Sequence, residues 1–347
     1  MAARAFITDV SGLALTHDER AFLREAQPWG LILFKRNVDT PAQVAALTAS
    51  FRDALGRAAP ILVDQEGGRV ARLGPPHWPS YPPGAAYGRL YDADHARGLE
   101  AARLGARLIA SDLKAVGIDV DCLPLADVPV DGADPVIGDR AYGTTSAKVA
   151  AIGVAVARGL MQGGVLPVLK HLPGHGRASA DSHKRLPIVT AERAELEASD
   201  FAAFRPLAGL PLGMTAHVVY SAYDPLAPAT TSATMVREVI RGSIGFAGAL
   251  MCDDLSMGAL SGSLAERARA ALAAGCDLVL HCNGSLADRQ VVAAATPLLA
   301  GRAAERAEAA LRGRRTPDEI DMTQARKTFS ALMDGVRLAG ASTGMAS

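Results

Sequence analysis

The chain is short of net charge, of paired cysteines and of long apolar runs, and each shortage excludes something. Its 36 lysines and arginines balance 36 aspartates and glutamates, leaving no net formal charge. A dedicated nucleic-acid or membrane-surface binder needs an excess of positive charge, so neither partner is expected. No apolar run approaches the roughly 20 residues that span a bilayer, and Met1 to Asp9 turns polar too soon for a secretory leader. The cysteines, Cys122, Cys252, Cys276 and Cys282, form no CxxC pair and sit in or beside apolar runs. They are expected to be buried free thiols in a reducing compartment, with a metal or disulfide role as the alternative. A soluble, cytoplasmic protein is the expectation that follows.

At 347 residues the chain is long enough for one large domain or two ordinary ones. Short apolar runs alternate with longer amphipathic ones from end to end. Those that read as strands are Ala5–Ile7, Gly30–Phe34, Ile61–Val63, Ile118–Cys122, Gly164–Leu169, Gly213–Ala216, Ala249–Cys252 and Asp277–Leu280. Helical patterns occupy Thr40–Leu55, Asp94–Val116, Ser146–Gln162, Ala191–Arg205, Ser232–Arg241, Leu264–Ala274 and Leu286–Leu299. The first of these opens on Thr40-Pro41, a cap followed by proline at the first helical position. Two more helices, Arg302–Leu311 and Met322–Val336, follow the last strand.

Such strand–helix units with short connections fit an α/β fold, a parallel sheet closed into a (β/α)8 TIM barrel. The expectation is a single domain over residues 1–347, with extra C-terminal helices at about 302–336. The competitor, a doubly wound open sheet, usually carries a glycine-rich phosphate loop after its first strand, and Asp9-Val10-Ser11-Gly12 is not one. The small-residue tail Gly340 to Ser347 is expected to fray. Active sites of closed barrels lie at the C-terminal strand ends, so Asp64, Lys170, His171, His217 and Asp253 should converge on one mouth.

Three stretches could carry chemistry. Val63-Asp64-Gln65-Glu66-Gly67-Gly68-Arg69-Val70-Ala71-Arg72 lacks the lysine and spacing of a phosphate loop, and its glycines allow a tight turn at the mouth. Asp64 is placed to accept hydrogen bonds from a neutral polyhydroxylated ligand and Arg72 to donate them. A rim ion-pair cluster is the alternative, and it is the reading preferred for Glu66 and Arg69.

The second stretch, Lys170 to Pro187, reads KHLPGHGRASADSHKRLP and crowds histidines and cations into one loop. His171-x-x-x-His175 invites a zinc reading, but two imidazoles on one face need a helix that Pro173-Gly174 forbids. No metal and no cofactor is expected. Asp181-Ser182-His183 can instead form a dyad, the carboxylate favouring a protonated imidazole that donates a proton and takes it back. A surface ion pair is the alternative there, and His175 is expected to brace the turn.

The third, Met251-Cys252-Asp253-Asp254-Leu255-Ser256-Met257, ends the seventh strand. Successive side chains diverge from extended backbone, so one aspartate should face the mouth while the other caps the turn. An ionised aspartate there can attack an anomeric carbon, with Lys170 and Arg72 helping to keep it ionised. Two capping aspartates are the alternative. The proline-rich loop Gly74 to Gly84 could wall one side, with Trp78 and Tyr81 either packing it down or stacking on a sugar.

Together, ILFKRN at 32–37, VDQEGGRVARL at 63–73, KHLPGHGRASADSH at 170–183 and MCDDLSM at 251–257 resemble the family 3 glycoside hydrolases. More narrowly they are similar to the bacterial cytosolic β-N-acetylglucosaminidases (β-hexosaminidases) of peptidoglycan recycling. The resemblance implies a retaining mechanism with a covalent glycosyl-enzyme intermediate. Asp253 matches the family's nucleophile, and His183 matches its acid/base, assisted by Asp181. Asp64, Arg72, Arg140, Lys170 and His171 match its sugar-binding positions. Most family 3 β-glucosidases use a glutamate associated with a second, sandwich-type domain as proton donor, so Asp181-x-His183 favours the glucosaminidase branch. Cys252 and Leu172 stand where serine and phenylalanine are common. The implied substrates are muropeptides carrying N-acetylglucosamine (GlcNAc), and a monomer or weak dimer is expected. The alternatives are a family 3 β-glucosidase or β-xylosidase, a glycoside phosphorylase, or a sugar-binding barrel without catalysis.

Overall fold

The computed structural model describes residues 3–336; the tail expected to fray, 340–347, lies outside them. Eight parallel strands close into a barrel in chain order. They are Arg4–Thr8, Pro28–Leu33, Ile61–Val63, Val120–Asp121, Leu166–Leu172, Leu212–Thr215, Ala249–Asp254 and Leu278–Leu280. The ring closes where Phe6 and Ile7 of the first strand pair with Val279 and Leu280 of the eighth. Strands buried on both faces read as unbroken apolar runs, which is why each stood out in the sequence. The fourth is shorter than expected, and Pro124 just beyond it has no N–H to extend a ladder. The fifth is longer and takes in Lys170, His171 and Leu172.

Around the barrel stand α1 (His17–Ala26), α2 (Pro41–Leu55), α3 (Gly84–Ala93), α4 (His95–Ala115) and α5 (Ser146–Gln162). They continue with α6 (Arg193–Ala198), α7 (Leu264–Ala274), α8 (Leu286–Ala295), α9 (Gly301–Arg312) and α10 (Met322–Met333). Helices α1 and α3 were not expected. The first had a legible start, because Thr16 and Glu19 form a reciprocal capping box. The helix expected over 191–205 survives only as α6, followed by short 3₁₀ turns at Phe201–Ala203 and Arg205–Leu207. Pro206 accounts for part of that break. The helix expected at 232–241 is a wide π turn over Met235–Ser243.

The proline-rich loop is packed down rather than open for stacking. Trp78 and Tyr81 are both buried. The Tyr81 hydroxyl donates to Asp112 Oδ2 of α4 at 2.7 Å, and its ring lies 6.2 Å from that of Phe329 in α10. All four cysteines are buried and free, as expected. Among the described residues no helix is long and apolar enough to cross a membrane.

Helices α4 and α5 approach so closely that a Cβ on Gly159 would lie 2.1 Å from the Arg103 carbonyl oxygen. Alanine is the better helix former by about 1 kcal/mol, so propensity and packing oppose each other at this position. Packing should win. Gly159→Ala is expected to lower the unfolding free energy by about 2 kcal/mol in urea titration, and a stabilised variant would refute the close approach.

Candidate active site

Of the residues expected at the mouth or in the chemistry, Asp64, Arg72, Arg140, Lys170, His171, His183 and Asp253 line one cavity at the C-terminal mouth of the barrel, and Asp181 and His217 do not. Asp64 lies just past the third strand, and its carboxylate is held from two sides. Lys170 Nζ donates to Oδ1 at 2.8 Å and Arg72 Nη2 to Oδ2 at 2.9 Å. Lys170 also reaches Glu66 Oε1 at 2.5 Å, and Arg140 donates to both Glu66 oxygens at 2.8 and 2.9 Å. Lys170 is only 2% exposed. Burial alone would raise the pKa of both acids, but Lys170, with Arg72 beside Asp64 and Arg140 beside Glu66, outweighs it. The Glu66 carboxyl is held at about 2 and that of Asp64 well below its usual range.

The rim-pair reading of Glu66 is therefore corrected. Glu66 is a buried bridge between Lys170 and Arg140, whereas Arg69 does form a rim pair, with Asp139 at 3.1 Å. What separates them is the hairpin of Gln65–Gly67 with Val70–Ala71. Gly67 and Gly68 take φ of 95° and 56°, and a Cβ on Gly67 would sit 2.3 Å from the Pro82 carbonyl oxygen. This tight return brings Arg72 back over Asp64. Gln65 fixes the return, accepting from Arg72 N at 2.9 Å and Leu73 N at 3.0 Å while donating to Leu73 O at 2.8 Å.

On the opposite side, the two aspartates of the seventh strand diverge as pleating requires. Asp254 accepts from Ser256 N, Cys282 N and Asn283 Nδ2 at 3.0 to 3.2 Å, and so caps the turn. Asp253 lines the cavity and, among the described residues, accepts only the N–H of Asp254, at 2.8 Å. Burial pushes its carboxyl up, but His171 and His217 beside it, together with that N–H, bring it below its usual range. Lys170 and Arg72, expected to do this, pair instead with Asp64 and Glu66. His217 does not line the cavity; it is fully buried behind it, its Nε2 donating to the Asp254 carbonyl at 3.1 Å.

His171 is oriented by Asp127, whose Oδ2 meets His171 Nδ1 at 2.7 Å. The same buried carboxylate accepts from His175 N at 2.6 Å. Sequence reasoning missed Asp127, although it is a carboxylate just past the fourth strand, where barrels place their polar groups. Beyond it the loop carries its own pair. Asp181 Oδ1 accepts from His183 N at 3.0 Å and meets His183 Nδ1 at 2.8 Å. Burial raises the Asp181 pKa, but these N–H groups overcome it and hold the carboxyl below its ordinary value. The imidazole of His183 faces the same cavity as Asp253.

Residues 6–311 match the glycosyl hydrolase family 3 N-terminal domain. The chain belongs to family 3. This family 3 chain is 39% identical over 279 residues to the β-hexosaminidase of Aromatoleum aromaticum, covering 79% of this chain and 78% of that one. It superposes on NagZ from Neisseria gonorrhoeae with a TM-score of 0.83 and 31% identity, over 97% of each chain. A β-N-acetylglucosaminidase from Paenibacillus sp. gives the same TM-score and identity, over 95% of this chain and 67% of that one. The family 3 barrel thus brings together every sequence-singled group except His217, and adds Glu66, Gln65 and Asp127.

Burial lowers the pKa of His175, to about 4, and of His217 and His281. Each gives up its proton more readily when folded than when unfolded, where it titrates near 6.5, so unfolding takes up protons below that value. The stability they contribute is complete above about pH 6.5 and falls as pH drops toward 4. Urea midpoints measured at about pH 7.5, 6 and 5 should decline, and His217→Gln should flatten the decline. A level profile would mean that burial does not depress these imidazoles in the native state.

Proposed function

We propose that this family 3 glycoside hydrolase is a retaining β-N-acetylglucosaminidase that removes terminal non-reducing GlcNAc from peptidoglycan fragments. One observation carries the reading. Asp253, with most of its oxygen lone pairs free of donors among the described residues, shares a cavity with His183, the outer member of the loop-borne Asp181–His183 pair. In this reading Asp64, Arg72, Arg140, Lys170 and His171 hold the sugar, either by direct hydrogen bonds or by fixing the groups that make them. Residues 1–347 act as one catalytic unit in the cytoplasm, and muropeptides are the substrates. The names of the hexosaminidase and glucosaminidase relatives support the acetamido sugar over glucose.

The proposed chemistry has two steps. Asp253 attacks the anomeric carbon while His183 gives its proton to the departing oxygen, forming a glycosyl ester and a neutral imidazole. His183 then takes a proton from water as that water displaces Asp253, restoring both groups. Asp181 holds the Nδ1 side of the ring, leaving Nε2 for the transferred proton. An aspartate locked in a bidentate cationic pair would make a poor nucleophile. Asp253 avoids that because the cations pair with Asp64 and Glu66.

The test is hydrolysis of aryl β-N-acetylglucosaminides and aryl β-glucosides by the wild type, Asp253→Asn and His183→Ala. The wild type should prefer the acetamido sugar, and Asp253→Asn should abolish turnover. His183→Ala should lose about 10²–10⁴-fold on poor leaving groups. Preference for the glucoside, or turnover by Asp253→Asn, would overturn the reading. Phosphate-dependent release of a sugar 1-phosphate would instead indicate phosphorolysis.

A further inference from the structure

The loop that carries Asp181 and His183 is gripped at the residue between them. Ser182 is 3% exposed although both its neighbours face solvent or the cavity. Its hydroxyl meets His175 Nε2 at 3.0 Å, and its carbonyl accepts the N–H of Ala259 at 3.1 Å. The next carbonyl, that of His183, accepts the N–H of Gly258 at 3.2 Å. These last two donors belong to the turn that follows Asp253, so one short segment touches both sides of the chemistry.

That turn is well anchored. Asp254 caps it through Ser256 N, Leu255 N donates to Leu280 O at 2.9 Å, and Arg267 Nη1 donates to Leu255 O at 2.7 Å and Met257 O at 3.2 Å. The other jaw is equally fixed, because His175 N is held by Asp127 at 2.6 Å. Between the jaws there is no spare room. A Cβ on Gly258 would lie 2.9 Å from the Lys184 carbonyl oxygen and 3.0 Å from that of His183. Gly258 is not in the left-handed region, so alanine would not strain its own backbone. Its effect would fall on the loop.

We propose that His175 and the 255–260 turn form a clamp on Ser182 that holds the Asp181–His183 pair over Asp253, with Gly258 and Ser182 as positioning residues. The proposal rests on the acid/base reading of His183 given above. A clamp of this kind predicts a selective defect. Displacing His183 should slow proton transfer to a poor leaving group but leave a departing group that needs no proton almost unaffected. It should also slow the attack of water on the glycosyl ester, which a nucleophile that needs no base, such as azide, can bypass.

The experiment compares the wild type, Gly258→Ala and Ser182→Ala on phenyl and 2,4-dinitrophenyl β-N-acetylglucosaminides, with thermal midpoints to establish folding. For each variant kcat/KM on the phenyl substrate should fall about 10- to 100-fold, part of the full acid/base contribution, while that on the dinitrophenyl substrate changes less than about 3-fold. Added azide should raise kcat of the variants on the dinitrophenyl substrate and yield the glycosyl azide, and should leave the wild type unchanged. Should Gly258→Ala fail to fold, the same selectivity in Ser182→Ala carries the test. Equal losses on both substrates, or no loss on either, would overturn the clamp. A wild type that cleaves neither substrate would overturn the functional reading instead.

Discussion

Barrel closure is the constraint from which the rest follows. Pairing of the first strand with the eighth, Phe6 opposite Val279 and Ile7 opposite Leu280, turns an open sheet into a ring with no edge. In a ring of parallel strands every C-terminal end lies on one rim. Polar residues distant in the chain, such as Asp64, Lys170 and Asp253, therefore meet without any local sequence relation. The apolar interior beneath them then sets their electrostatics, because it removes the water that would otherwise solvate their charges.

Desolvation divides the mouth into two regions of different character. On one wall Lys170 lies between Asp64 and Glu66, with Arg72 and Arg140 closing the outer sides. Each buried charge there has an opposite partner, and removing one would strand the other in a medium that solvates it poorly. Such a wall is pre-organised before any ligand arrives. Asp121, buried close by, takes the other course: burial drives its carboxyl well above its usual pKa, against the Gln65 N–H and the Lys170 charge, which lower it.

The opposite wall has few strong pairs. Burial pushes the Asp253 carboxyl up, and His171, His217 and one backbone N–H bring it below its usual range, a weaker hold that leaves its oxygens available. The histidines depend in turn on Asp127 and on the Asp254 carbonyl, so the surroundings of Asp253 are set at one remove. His183 belongs to neither wall. It arrives on a loop whose position depends on a few hydrogen bonds from His175 and the turn after Asp253.

By itself the sequence determined the barrel, because parallel strands buried on both faces need continuous apolar runs and those runs are visible. It also determined the polar strand ends and the Asp181–His183 pair, which is local and closes through a two-residue separation. It did not reveal α1 as a helix although the Thr16–Glu19 capping box marks its start, nor the break after α6. Only the tertiary structure decided who pairs with whom. Glu66 is buried and Arg69 is not, though they are near neighbours, because the hairpin folds one inward and the other out. Lys170 serves Asp64 rather than Asp253, and Asp127, not a residue of the loop, orients His171. Those outcomes depend on distances across the ring, and a barrel fixes such distances only when its last strand meets its first.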